Sequence, residues 1–272
     1  MGDVGSGMRR IVRAFRRGCV RRMAAIASRT SAGRDSPALV VAPHPDDEVF
    51  GAGGLIAMKR AAGARVDVVF LTADGASHAG CCGLSAGEVG ANRRRLAEQA
   101  GGILGVEAQS MHWLGWVDGT LPRSGAAGFA DVVVTLKGVL ENLGAQEIYC
   151  PHPLEVWSDH VAASEMVAAA VAGMTARPRV YYYLVWAWLN QPLRGLLKLG
   201  WRGSWRCDVR GVFEKKKAAM RAYLEDKAPG CGKPWIGVLP ADLLRAFDWP
   251  HELFFEAGGP VVLNRRGKAG NE

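Results

Sequence analysis

Apolar residues follow two rhythms along the middle of this chain. Short, almost wholly apolar runs predict strands buried on both faces, at residues 39–42, 66–71, 111–114 and 148–150. Longer stretches with apolar residues at helical spacing predict helices, at residues 51–62, 88–104, 129–143 and 158–174. Because strands and helices alternate, the pattern indicates an α/β fold with a mostly parallel sheet and helices on both faces.

The pattern changes in the C-terminal third. Residues 180–188, 209–213 and 252–256 each predict a strand, and residues 214–225 predict a helix. Residues 190–205 form an irregular stretch that is too rich in leucine and tryptophan for a solvent loop, so we expect a lid that contacts a substrate. The sequence therefore predicts a C-terminal extension of strands and loops beside the main sheet.

Positive charge is concentrated at the N-terminal end. Residues 1–36 contain nine arginines and two aspartates, whereas residues 37–272 contain 25 basic and 24 acidic side chains. A nearly neutral globular part argues against nucleic acid as a partner. We therefore divide the chain into a basic segment, 1–36, and a globular domain, 37–272. Residues 8–29 alternate arginine with apolar residues, which fits a disordered start, a helix packed on the domain, or a helix on a membrane surface.

The cysteines and the hydropathy of the chain bear on its compartment. Six cysteines are present, none in a CxxC pair, and no apolar signal segment precedes the domain. Reduced thiols in a cytoplasmic protein are the expectation. No uncharged apolar run reaches the roughly 18 residues of a membrane-spanning helix, so any membrane contact is expected to be peripheral.

One polar turn concentrates groups that can carry chemistry. The first predicted strand is followed by residues 43–48, which combine one imidazole and three carboxylates with two stiffening prolines. Imidazole and carboxylate are good ligands for Zn²⁺ or Fe²⁺, and a catalytic metal needs only three protein ligands. A spare carboxylate beside the metal can accept a proton from water. The turn is therefore one half of a candidate hydrolytic metal site.

The other half is expected at the end of a neighbouring strand. The predicted strand at residues 148–150 is followed by His152, and Ser158 is expected to cap a helix that contains His160. The carboxyl ends of parallel strands lie at one edge of a sheet, so His44 and His160 are expected to meet there. Either histidine alone is typical of a helix start, but the two at strand ends of one sheet favour a site.

These residues resemble a known family. Residues 44–48 resemble the His-Pro-Asp-Asp-Glu signature of the PIG-L/LmbE-like N-acetylglucosaminyl deacetylases, and residues 157–160 resemble that family's later His-Pro-Asp-His box. Further similarity lies at Arg93 and in residues 115–119, and the resemblance covers about residues 37–257. The fold of that family is Rossmann-like, in agreement with the pattern of strands and helices, and residues 37–272 would form the deacetylase domain.

The resemblance implies a role for each matching residue. Three residues would bind a divalent metal, zinc or an ion such as Fe²⁺: His44, Asp47 and His160. Asp46 would be the general base. Arg93 and Asp118 would help to hold the sugar.

Two positions depart from the family pattern. Trp157 stands where the second box begins with a histidine that is implied to stabilise the oxyanion or to protonate the leaving amine. The metal, the indole N–H of Trp157 or the side chain of His152 would cover that loss, and Trp157 and His152 are therefore candidate substrate-binding residues. Leu96 stands where the family has glutamate, so Arg93 lacks the expected orienting partner.

The expected reaction is metal-dependent hydrolysis of an N-acetyl or other N-acyl amino sugar to a free amino sugar and a carboxylate. The apolar stretch at residues 190–205 favours a substrate with a large or amphiphilic aglycone. The family resemblance implies, more specifically, a glycopeptide antibiotic of the teicoplanin type. Two alternatives stay open. One is a deacetylase of a lipid-linked or thiol-cofactor amino sugar at a membrane surface, and the other is a catalytically silent sugar-binding module.

Overall fold

The computed structural model describes residues 4–30, 35–72, 76–78, 81 and 83–258. Eight strands are present in this part of the chain: β1 (Arg29–Thr30), β2 (Ala38–Ala42), β3 (Val66–Thr72), β4 (Met111–Trp116), β5 (Glu147–Pro151), β6 (Arg179–Tyr183), β7 (Ser204–Asp208) and β8 (His251–Glu256). The helices are α1 (Val4–Ala27), α2 (Asp47–Ala61), α3 (Ala86–Leu104), α4 (Phe129–Leu143), α5 (Ser158–Ala172), α6 (Ala187–Asn190), α7 (Leu193–Leu196), α8 (Phe213–Glu225) and α9 (Ala241–Phe247).

The strands form one sheet in the order β1-β7-β8-β6-β5-β2-β3-β4. All neighbouring pairs run parallel except those of β8, which is antiparallel to both β6 and β7. Strands β2, β3 and β5 are buried at every position, as the apolar runs predict. The predicted α/β fold with a mostly parallel sheet is confirmed.

The strand order creates a switch point at the centre of the sheet. From β2 the chain moves outward through β3 to β4 and then returns to β5, which pairs with the opposite edge of β2. Crossovers that leave a strand in opposite directions open a crevice at the carboxyl ends of the two central strands, where ligands of such sheets bind. The turn after β2 and the loop after β5 therefore meet in this crevice.

Three local predictions in the C-terminal half need correction, and one helix was missed. Strand β6 ends at Tyr183 rather than continuing to residue 188, because the next backbone N–H groups donate to the side chain of Glu155. The strand expected at 209–213 lies at residues 204–208, where it pairs with β8. Helix α9 was not predicted. Ser158 begins α5 rather than capping it, and Trp157 holds the cap position without a side-chain cap bond.

Helix α1 packs on the domain, as one of the three interpretations of the basic segment predicts. Its second half is anchored by the buried side chains of Val20 and Ala24. The guanidinium of Arg17 lies 3.3 Å from Asp242 at the start of α9, and Arg21 donates to backbone carbonyls near the end of α9. Within the described residues, no helix is both long and apolar enough to cross a membrane.

Candidate active site

The turn after β2 holds one backbone position in an unusual conformation. Asp46 has φ 133° and ψ −31°, and it is the one non-glycine residue with positive φ in the described part of the chain. Such conformations cost about 1–3 kcal/mol each and persist only where the surroundings enforce them. The backbone N–H groups of Val49 and Phe50 both donate to the Asp46 carbonyl at 3.0 Å, so the strained residue also begins helix α2.

Buried polar side chains enforce this conformation. The Asp46 N–H donates to Glu48 Oε2 at 2.9 Å, and the Tyr223 hydroxyl from α8 donates to Glu48 Oε1 at 2.6 Å. Arg93 donates to the Pro45 carbonyl at 3.1 Å. Burial raises the pKa of Glu48 to about 7 although the hydrogen bonds from Tyr223 and Asp46 lower it. The supporting role of Tyr223 gives no signal in the sequence, because its partner is 175 residues away.

The three predicted metal ligands lie together. Asp47 Oδ2 lies 3.2 Å from His44 Nδ1 and 3.3 Å from His160 Nε2. One ligand atom from each residue lies within 4.8 Å of the other two. Asp47 and His160 are buried and His44 is half-buried. Two imidazole nitrogens around one carboxylate oxygen could hold a divalent metal ion with open coordination positions.

The opposite nitrogen of His44 faces two further carboxylates. His44 Nε2 lies 3.0 Å from Asp118 Oδ1 and 3.2 Å from Asp159 Oδ2. An imidazole that donates Nε2–H to a carboxylate keeps the Nδ1 lone pair for a metal. Asp159 also accepts the backbone N–H groups of Gly119 at 2.7 Å and Leu121 at 3.3 Å, which fixes the loop after β4. Asp159 therefore orients His44, a role that was not predicted from the sequence.

A carboxylate also lies on the outer side of His160, beyond hydrogen-bond distance. His160 Nδ1 lies 3.6 Å from Glu155 Oε2, and Nε2 points toward Asp47. Glu155 accepts three backbone N–H groups, from Val185, Trp186 and Ala187, and burial nevertheless raises its pKa to about 7. Glu155 therefore lies beside the His160 ring and holds the segment that follows β6. Sequence reasoning missed this residue, whose only signal is a carboxylate in the loop before the second box.

The buried charges shift the pKa of several groups. Burial opposes protonation of His44, but hydrogen bonds to three carboxylates outweigh it and raise the pKa of His44 well above 6.5. Burial lowers the pKa of His160 to about 4, so this imidazole is neutral at neutral pH. Burial and the charge of Asp47 raise the pKa of Asp46 well above 3.8, and Arg93 offsets this only in part.

These side chains line a cavity of about 450 Å³. This volume lies in the range of small-molecule sites. The apolar part of the lining, called the rim below, comes from Trp157, Trp186, Ile236 and Leu239. Trp157 is 52% exposed, and its ring centroid lies 5.5 Å from that of Trp186. The cavity therefore combines a floor of histidines and carboxylates with an aromatic and aliphatic rim.

Arg93 and Asp118, the predicted sugar-binding pair, both line the cavity. Arg93 is buried, and its Nη1 lies 3.4 Å from Asp118 Oδ2. Leu96 is fully buried and contributes no polar contact. Arg93 is thus oriented by the Pro45 carbonyl and Asp118 rather than by a residue at position 96.

His152 lies outside the cavity, so its prediction as a substrate-binding residue is wrong. Its Nδ1 accepts the Leu154 N–H at 3.0 Å, and its Nε2 donates to the Leu199 carbonyl at 3.2 Å. The fully buried ring packs edge-on against Tyr182 and Phe255. Burial lowers the pKa of His152 to about 4, so the ring is a neutral structural contact.

Residues 190–205, expected to form a lid, pack into the C-terminal extension instead. Leu196 and Leu199 are buried, and the Trp201 ring packs edge-on against Phe255 with centroids 5.4 Å apart. Among the residues that the structure describes, none from this stretch lines the cavity. Burial in the core thus explains the apolar character of Leu196, Leu199 and Trp201, whereas Leu197 is exposed.

Replacing His152 tests its structural assignment. His152→Phe removes both hydrogen bonds and is expected to lower the free energy of unfolding by about 1–3 kcal/mol while leaving turnover per folded molecule unchanged. Between pH 6.5 and about 4 the unfolded chain binds one proton more at His152 than the native chain does. This lowers wild-type stability as the pH falls, by at most about 1.4 kcal/mol per pH unit.

The stability difference between wild type and the variant is therefore expected to shrink as the pH falls through this window. Urea unfolding at several pH values measures it, and contributions from other histidines are common to both proteins. Unchanged stability combined with a loss of turnover would contradict the assignment and return His152 to the substrate site.

Part of the sequence matches a known protein family. The PIG-L family, described as GlcNAc-PI de-N-acetylase, matches residues 39–171, which include β2 to β5 and most of α5. That segment contains all the residues of the His44, Asp47 and His160 cluster. A search of curated proteins finds no match to this chain.

Solved structures share the fold at low sequence identity. N,N′-diacetylchitobiose deacetylase from Pyrococcus horikoshii is 21% identical, with 78% of this chain and 74% of that chain covered and a TM-score of 0.57. A teicoplanin deacetylase in a zinc-inhibited form is 17% identical, with 69% and 84% covered and a TM-score of 0.57. The 4-carboxy-2-hydroxymuconate hydratase from Pseudomonas putida is 23% identical, with 69% and 78% covered and a TM-score of 0.56. The fold therefore hosts more than one reaction, while residues 39–171, which contain both motifs, match the PIG-L family.

Proposed function

We propose that the protein is a divalent-metal-dependent deacetylase that hydrolyses the acetamide group of an amino-sugar glycoside. The observation that carries this proposal is the convergence of His44, Asp47 and His160 beside Asp46 at the floor of one cavity. The PIG-L match and the fold shared with two sugar and glycopeptide deacetylases support the reaction class.

The charge of the site fits a divalent cation. Four aspartates lie at this end of the sheet: Asp46, Asp47, Asp118 and Asp159. Buried carboxylates this close repel one another unless a cation lies among them. Arg93 faces one side of the group, and a divalent ion at His44, Asp47 and His160 would neutralise the other. Two imidazoles and one carboxylate suit Zn²⁺, our proposed ion, and also accept Fe²⁺.

A second grouping of donors shares His44 with the first. His44, Asp118 and Asp159 also place one ligand atom each within 4.8 Å of the others. Asp159 already accepts two backbone N–H groups and a contact from His44 Nε2, which is the pattern of a residue that orients a ligand. We therefore assign the metal to His44, Asp47 and His160.

Asp46 is the proposed general base. Bound at this site, a divalent cation would supply Lewis-acid polarisation of the acyl carbonyl and acidification of the attacking water. The Asp46 carboxylate accepts a proton from that water as the new C–O bond forms. It then returns the proton to the sugar nitrogen as the C–N bond breaks, which releases acetate and an amine. The strained backbone fixes Asp46 relative to its neighbour Asp47 during both transfers.

The rim indicates what lies beyond the sugar. Trp157 and Trp186 offer aromatic faces at the mouth, and Ile236 and Leu239 extend the apolar surface. An apolar rim around a polar floor suits a glycoside whose sugar enters the cavity while a large apolar aglycone stays at the mouth. We therefore propose a glycosylated natural product, such as a glycopeptide, as the substrate class.

Two variants test the metal and base assignments. His160→Ala is expected to lose most of the bound metal, measured by elemental analysis, because two ligands hold a divalent ion poorly.

Asp46→Asn is expected to keep the metal and lose turnover by about a hundred- to ten-thousand-fold, since the amide cannot accept a proton. Full metal content in His160→Ala, or acetate release near the wild-type rate by Asp46→Asn, would exclude the respective assignment.

A substrate comparison tests the rim. Trp157→Ala and Trp186→Ala are expected to raise KM for a glycoside with a large apolar aglycone by about two- to twelve-fold, from the loss of one aromatic contact each. The KM of a simple N-acetylglucosamine glycoside is expected to change much less. Leu197→Ser is the matched control, because Leu197 is 68% exposed and lies outside the cavity. Equal losses on both substrates in the tryptophan variants would rule out an aglycone role.

Peripheral membrane binding is a second candidate function. The first half of α1 exposes Met8, Ile11, Val12 and Phe15, which lie at helical spacing on one stripe. The surrounding segment is rich in arginine. We infer that this stripe can rest on an anionic lipid surface, where burying apolar side chains and attracting arginines act together.

Vesicle sedimentation tests this inference. Wild-type protein is expected to sediment with phosphatidylserine-containing vesicles and to be released by salt, whereas Ile11→Ser/Phe15→Ser loses most of the bound fraction. Val134→Ser, which removes an exposed apolar residue from α4, is the control. Equal sedimentation of wild type and the double variant would remove α1 as a lipid contact.

A further inference from the structure

A second group of metal-ligating side chains lies outside the site described above. His78 ends a short 3₁₀ turn, Ala76–His78, after β3, and Cys81 lies three residues later. Cys231 lies in a separate loop between α8 and α9, which the pairing of Lys227 with Pro234 closes into a hairpin. One ligand atom from each of His78, Cys81 and Cys231 lies within 4.8 Å of the other two.

One ligand–ligand distance in this group is compatible with tetrahedral zinc. With Zn–S near 2.3 Å and Zn–N near 2.0–2.1 Å, tetrahedral coordination separates a sulfur from a nitrogen ligand by about 3.6 Å. Cys231 Sγ lies 3.6 Å from His78 Nδ1. The ring of His78 is 2% exposed, and its Nε2–H donates to the Pro234 carbonyl at 2.9 Å. That bond leaves the Nδ1 lone pair toward the sulfurs, as in metal-ligating histidines that donate their other N–H to a carbonyl.

The surroundings suit anionic sulfur ligands. Lys233 Nζ lies 3.2 Å from Cys81 Sγ, so a thiolate there has a positive charge beside it. Two thiolates and a neutral imidazole form the soft donor set that zinc prefers, and one coordination position is left for water. This donor set differs from the histidines and carboxylate of the catalytic cluster, which contains no sulfur.

The group also joins two segments that build the wall of the cavity. Ser77, next to His78, donates its hydroxyl to the Trp235 carbonyl at 2.8 Å and lines the cavity. Ile236, which follows Trp235, lines the cavity from the hairpin side. A metal held by His78, Cys81 and Cys231 would therefore tie both sides of this wall together.

We propose that His78, Cys81 and Cys231 bind a second zinc ion that fixes the loop after β3 to the hairpin between α8 and α9. With three protein ligands and one water, the ion would hold the cavity wall that carries Ser77 and Ile236. It is independent of the catalytic assignment, since it shares no ligand with His44, Asp47 and His160.

Cobalt substitution tests the proposal on the full-length protein, kept under a reducing agent that does not bind metal. A thiolate ligand gives Co²⁺ an intense sulfur-to-metal charge-transfer absorption in the near ultraviolet, which histidine and carboxylate ligands do not give. Wild-type protein is expected to show this absorption and to hold about two metal ions per chain. Cys81→Ser and Cys231→Ser are each expected to lose one ion and most of the absorption, whereas Cys19→Ser, which changes a half-buried cysteine on α1, keeps both.

The His160→Ala variant separates this proposal from the proposed reaction. It is expected to lose the catalytic ion and keep the charge-transfer absorption. Fully loaded wild-type protein without that absorption would overturn the second site, whatever its activity, and this measurement needs no variant to fold. A full-strength absorption in the Cys81→Ser/Cys231→Ser double variant would overturn it as well. So would a Cys81–Cys231 disulfide that persists in the presence of the reducing agent.

Discussion

The site depends on the strained turn that connects β2 to α2. A positive φ at Asp46 lets the chain leave a buried central strand and enter a helix within a few residues, with His44, Asp46 and Asp47 all at the carboxyl end of the sheet. Strain of this size persists because Glu48 accepts the Asp46 N–H and Arg93 holds the Pro45 carbonyl. The strand order then places the loop after β5 beside this turn, which brings His160 to Asp47.

The second constraint is electrostatic. Burial and the charge of Asp47 raise the pKa of Asp46. Burial opposes protonation of His44, but hydrogen bonds to three carboxylates raise the pKa of His44. Several carboxylates thus share a buried space with little positive charge. A divalent ion would relieve this repulsion, while Asp159 keeps the His44 imidazole turned toward Asp47. The buried carboxylates that destabilise the metal-free fold are therefore the groups that favour binding of a divalent ion.

Sequence patterns predicted the parts of the molecule that local periodicity and motifs encode. The buried strands around the site and the meeting of His44 with His160 follow from apolar runs and from the strand-end rule, whereas the place of Asp47 beside them came from the family resemblance. Contacts between distant segments left no such signal. Glu155 accepts backbone N–H groups just after β6, so the predicted long strand was wrong. Leu199 accepts a hydrogen bond from His152, so the lid at residues 190–205 and the substrate role of His152 were wrong as well. The apolar rim comes instead from Trp186 and Ile236, which only tertiary structure brings to the cavity.

The central claim is hydrolysis of an acetamide by a metal loaded at His44, Asp47 and His160. Isotope tracing tests it most directly, with metal-free and zinc-reconstituted wild-type protein acting on an N-acetylglucosamine glycoside in H₂¹⁸O. The account predicts that acetate and free amine appear in equal amounts only after reconstitution, with about one ¹⁸O atom in each acetate and none in the sugar. Equal acetate release by the metal-free protein, or no release by the fully loaded protein on any N-acetyl glycoside, would contradict it.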